Sequence, residues 1–82
     1  MARFAFYHES IDNRTISDAY NKPTAIIEAA DIEAASERFC QKYVLKQVDL
    51  EKLPEGEYRL YTRTTRPIWH RQEHVYDITS AD

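Results

Sequence analysis

One glycine, Gly56, serves a chain of 82 residues. Glycine is the residue that lets a backbone close tightly on a ligand or turn through positive φ. Phosphate-cradling loops and dinucleotide-binding turns each need several, so neither can be assembled from this sequence. Turns fall instead to Asp12-Asn13, Ser17-Asp18, Asn21-Lys22-Pro23 and Glu55-Gly56, residue types that bend the chain by local hydrogen bonding or a preset φ.

A chain this short has interior for one core, so residues 1–82 are expected to form a single domain burying roughly 60% of its unfolded surface. Six tyrosines raise the aromatic share to 12%, and a ring with a polar tip suits half-buried strands and interfaces alike. The only cysteine, Cys40, excludes an intramolecular disulfide, whereas small secreted domains rely on several. No apolar run approaches the roughly 20 residues of a membrane-spanning helix, and no signal-peptide pattern opens the chain. The expectation is a cytoplasmic protein with no membrane association. A net charge of −3 opposes simple coating of nucleic acid, which rests on neutralising many phosphates.

Residues 3–9 form an aromatic run with Phe4 and Phe6 on one strand face and Tyr7 on the other. The stretch 10–23 is polar and turn-prone, a long connection for so small a domain. After Pro23, residues 24–29 read as a second strand. Asp31 has the chemistry of a helix N-cap, with Glu33 in the first turn. Ile32, Ala35, Phe39 and Tyr43 then recur as one helical stripe, edged by Ser36 and Cys40. This predicts a helix over about 31–45. Residues 44–53 are ambiguous, with 49–53 composed like a short turn ended by Pro54. Residues 57–64 read as a strand with Tyr58 and Leu60 on one face and Arg59, Tyr61 and Arg63 on the other. Residues 65–71 form a loop around Arg66-Pro67, and 73–79 a last strand with Tyr76 and Ile78 inward. The expected fold is two-layer α+β: a four-stranded, mainly antiparallel sheet with one principal helix, in the order ββαββ. An RNA-recognition module would need a second helix and an aromatic-glycine strand motif, and no helix-turn-helix pattern is visible.

The segment 59–71 concentrates interaction chemistry. Arg59, Tyr61, Arg63, Arg66, Trp69 and Arg71 occur there without a single acid. Arginine presents a planar fork to phosphate or carboxylate, and tryptophan fills pockets at interface centres. These six are the candidate partner-binding residues; the alternative is a solvated strand face with Trp69 folded over the core edge. A secondary acidic patch gathers Glu28, Asp31, Glu33 and Glu37, which suits either competition for a basic groove or an ordinary macrodipole-compatible helix start.

Catalytic and metal chemistry find little support. His70 and His74 have the i, i+4 spacing that chelates a metal on a helix, but on a strand that spacing spans about 13 Å. His8-Glu9-Ser10 cannot form a triad alone, because neighbours on a strand point to opposite faces. Cys40, on the rim of an apolar stripe, reads as an inert small hydrophobe. The expectation is a protein that is not an enzyme and needs no metal and no cofactor.

The run Ala25-Ile-Ile-Glu-Ala-Ala-Asp-Ile-Glu-Ala-Ala-Ser-Glu-Arg-Phe39 resembles the strand-to-helix step of small inhibitor proteins encoded by phages and mobile elements, of the anti-CRISPR type. The resemblance covers residues 25–39 and transfers no functional residue. It implies a stoichiometric inhibitor that occludes a surface of a bacterial nucleoprotein defence complex, in the cytoplasm of the host. The rival expectation is a small RNA- or DNA-binding or accessory protein using residues 59–71. The expected partner is a protein or nucleoprotein complex, with nucleic acid secondary and homodimerisation through a sheet edge compatible with the fold.

Overall fold

Phe4 and Phe6 do share a strand face, and the side of the sheet they line is the side that a helix covers. The computed structural model describes residues 1–16, 22–65 and 71–81. Within them the chain runs β1 (Ala2–Ile11), β2 (Arg14–Thr15), β3 (Ala25–Ala29), α1 (Ile32–Tyr43), β4 (Leu45–Lys52), a 3₁₀ turn at Pro54–Gly56, β5 (Tyr58–Thr64) and β6 (Glu73–Ser80). The α+β class and single principal helix hold. The sheet, however, has six strands in the order β2-β1-β6-β5-β4, with β3 also paired to β1. Every pairing is antiparallel. The four-stranded ββαββ arrangement is therefore corrected to βββαβββ.

The two extra strands were hidden for different physical reasons. β2 is two residues long and owes its place to a tight hairpin, with Asp12 at φ 49° and Asn13 at φ 67°. Two consecutive positive φ values match the right-handed twist of the flanking strands, and Asp and Asn tolerate that region best after glycine. The Asp12 amide also donates to the Glu73 carbonyl, and the Glu73 amide donates to the Asp12 carboxylate, each at 2.8 Å. β4 was hidden by a bulge. Its inward residues, Leu45 and Leu50, are an odd number apart, because register shifts between Gln47 and Asp49. A bulge restores the facing that simple alternation would deny.

The helix forms as its sequence demands. Asp31 lies in extended backbone and its carboxylate accepts from the Ala34 amide at 2.8 Å. Ile32, Ala35, Ser36, Phe39 and Cys40 are buried; Tyr43, at the end of the expected stripe, is 37% exposed. The Phe39 ring stacks on Phe6 with centroids 4.2 Å apart and meets the edge of Tyr76 at 4.6 Å. Around them Leu60, Tyr76 and Ile78 complete the core. Each such side chain contributes about 1.5–3 kcal/mol by leaving water.

Because β3 and β4 sit at opposite sides of the sheet, α1 crosses the whole covered face to connect them. Side chains of α1 also guard one edge: Arg38 donates to the Glu28 carbonyl at 2.6 Å, and the Tyr43 hydroxyl donates to the Thr24 carbonyl at 3.3 Å. At the other edge β4 carries a bulge together with Lys46, Asp49, Glu51 and Lys52. Both devices oppose strand-to-strand association. Among the described residues, no helix is long and apolar enough to cross a membrane.

Candidate partner-binding face

The helix covers one side of the sheet; the other side has no layer over it among the described residues. Strand register arranges that uncovered side in cross-strand rows. Glu51, Arg59, Asp77 and Tyr7 lie side by side across β4, β5, β6 and β1. Asp49, Tyr61, Val75 and Ser10 form the next row, and Lys46, Arg63 and Glu73 the third.

Arg59, Tyr61 and Arg63 therefore share one face, as the alternation of β5 requires. Their electrostatic setting differs from a bare basic stripe. The Arg59 guanidinium lies 3.2 Å from the Glu9 carboxylate and 3.7 Å from that of Glu51. A hydrogen bond with Tyr61, followed by the charge of Glu9, holds the Arg59 proton more firmly than usual against the opposing effect of burial. Arg63 meets Glu73 at 3.5 Å. Contacts this exposed contribute at most about 1 kcal/mol each, yet they fix where the cations point. Glu9 and Glu51 had no place in a reading confined to residues 59–71, because strand register brings them in.

Tyr61 and Val75, with Val48, floor a shallow hollow of about 280 Å³ whose rim carries Asp49, Glu51 and Glu73. Val48 is half exposed at the β4 bulge. Arg71 is exposed and sits beside Arg63 at a separate, smaller cavity. Arg66 and Trp69 lie outside the described residues.

The acidic patch divides. Glu28 is an exposed β3 residue opposite Arg3. Asp31 caps α1, which is a structural task. Glu33 and Glu37 are exposed on α1, in the layer opposite Arg59 and Tyr61.

A second polar cluster escaped the sequence reading altogether. His8 Nε2 lies 2.9 Å from His74 Nδ1, and the His8 ring stacks on Tyr76 with centroids 4.7 Å apart. Burial lowers the proton affinity of both imidazoles, and His74 lowers that of His8 further. Burial pushes Tyr76 up to about 12 and also raises the Cys40 thiol, so neither ionises near neutrality. His70, which strand spacing was expected to keep apart from His74, lies outside the described residues. No group of three or more His, Cys, Asp or Glu side chains is placed to hold a metal ion among the described residues.

Comparison with protein-family models, curated proteins and solved structures finds no match. The functional reading therefore rests on the chemistry of the two faces. The helix-covered side is committed to the core. The uncovered side offers an aromatic-floored hollow among paired charges, an arrangement suited to recognition of another surface.

Proposed function

We propose that this protein is a non-catalytic binding protein that docks on another protein through the uncovered face of its sheet. The observation that carries the reading is the hollow floored by Tyr61, Val75 and Val48 among charges oriented in pairs. An apolar centre within a polar rim is the usual anatomy of a protein interface. Oriented charges on the rim select a complementary partner and speed its encounter. Its specific form, implied by the resemblance of residues 25–39, is a stoichiometric anti-CRISPR-type inhibitor acting in the cytoplasm of a bacterial host on a nucleoprotein defence complex. Such an inhibitor needs only a stable scaffold and a matching surface.

Charge favours this reading over the rival nucleic-acid-binding module. On the uncovered face Arg59 is held between Glu9 and Glu51, and Arg63 meets Glu73. A polyphosphate laid along this face would have to displace those carboxylates from the arginines.

The test is capture of the partner from bacterial lysate, followed by affinity measurements on variants. Tyr61→Ala should weaken binding by about 2 kcal/mol or more, the effect of removing an aromatic anchor, and Arg59→Glu should weaken it while the fold persists. Glu33→Lys and Glu37→Lys should be silent. The reverse pattern would move the contact to the acidic surface of α1 and sink the proposal for the sheet face.

A further inference from the structure

At the far end of the uncovered face, β4 and β5 border a cavity of about 100 Å³ lined by Lys46, Arg63, Thr64, Thr65 and Arg71. Three cations thus converge on one small space in a chain whose net charge is −3. Like charges gathered this way repel unless a counter-charge stands among them. The nearby acid is Glu73, 3.5 Å from Arg63, with both side chains well exposed. Among the described residues, Lys46 and Arg71 form no ion pair.

The neutral part of the lining holds the cavity wall in place. Thr64 Oγ1 accepts the Gln72 amide at 2.8 Å, and the Thr64 amide donates to the Gln72 carbonyl at 2.9 Å. By strand alternation the Thr64 side chain faces the same side as Leu60 and Thr62, so these bonds brace the end of β5 behind the cations. An arginine fork and a lysine point charge together match the oxygens of a phosphate.

Size and charge narrow the ligand. The cavity, about 100 Å³ and open to solvent, has room for a tetrahedral oxyanion. Three cations less one carboxylate leave a local charge near that needed to balance a phosphate monoester, which carries about −1.5 to −2 at neutral pH. Only the terminal group of a polyanion is favoured here, because Asp49 and Glu51 rim the adjoining hollow. We infer that the cavity formed by Lys46, Arg63, Thr64 and Arg71 is a binding site for one phosphate monoester group, either free or at the end of a nucleic-acid strand.

The site goes beyond the partner-binding reading, and the protein alone tests it. Inorganic phosphate titrated into the protein near neutral pH should bind saturably, shifting the amide resonances of Lys46, Thr64 and Arg71. Lys46→Ala and Arg71→Ala should each weaken binding at least tenfold, whereas Lys52→Ala, which removes a β4 cation outside the cavity, should not. Tighter binding of a 5′-phosphorylated oligonucleotide than of its 5′-hydroxyl twin, by tenfold or more, would identify the strand end as the source. Equal binding of the two, with phosphate still saturable, would identify a free monoester. Absence of saturable phosphate binding, or equal losses from Lys52→Ala and Lys46→Ala, would overturn the site.

Discussion

His8 and His74, 66 residues apart in sequence, bring ring nitrogens within 2.9 Å of each other where β1 and β6 pair. One nitrogen must donate and the other accept, so the contact tolerates one added proton on the pair far better than two. Burial, the leading cause, lowers both folded-state pKa values below the ordinary 6.5; Asp12 partly opposes this at His74 and the Ser10 backbone at His8. Groups with depressed folded pKa values bind more protons when unfolded, so their contribution is present above about pH 6.5 and lost as pH falls below it. Chemical denaturation should accordingly show stability declining from pH 7 to pH 5. In His74→Gln that decline should be shallower. A midpoint unchanged over this interval in the wild-type protein would contradict the half-buried, neutral pair.

Phe39 has no exposed surface and stacks on Phe6 within 3° of parallel. Phe39→Ala should cost about 3–5 kcal/mol, the transfer free energy of the ring plus the cavity left between helix and sheet. Urea denaturation checks the value. A loss below about 1 kcal/mol would mean that α1 does not anchor through this ring.

Val44 ends α1 in the left-handed region at φ 54° and ψ 52°, with 68% of its surface exposed. A β-branched residue is strained there, and the position is one that glycine ordinarily takes. Its amide nevertheless bonds back to the Cys40 and Gln41 carbonyls, so the conformation is fixed by the helix end. Val44→Gly should stabilise the protein by about 1 kcal/mol, read as a higher thermal midpoint, since relief of the strain exceeds the glycine entropy cost. A lower midpoint would show that the valine side chain contributes packing that outweighs its strain.

Interactions spanning a few residues were legible in the sequence. Asp31 announces the start of α1 because its side chain competes for amides three residues on, and the Ile32–Ala35–Phe39 stripe follows from 3.6 residues per turn. The opposite facing of Leu60 and Arg59 follows in the same way from strand alternation. These features are set by local backbone geometry, which neighbours in the chain specify by themselves. The bulge in β4 escaped because it breaks that alternation, and its inward Leu45 and Leu50 make sense only once β5 lies alongside. Tertiary structure alone decided that Glu9 and Glu51 flank Arg59, that Lys46 joins Arg63 and Arg71, and that His8 meets His74. Each of these meetings depends on strand register. Register is selected by which side chains the whole sheet can bury together, a property that no local stretch of the chain contains.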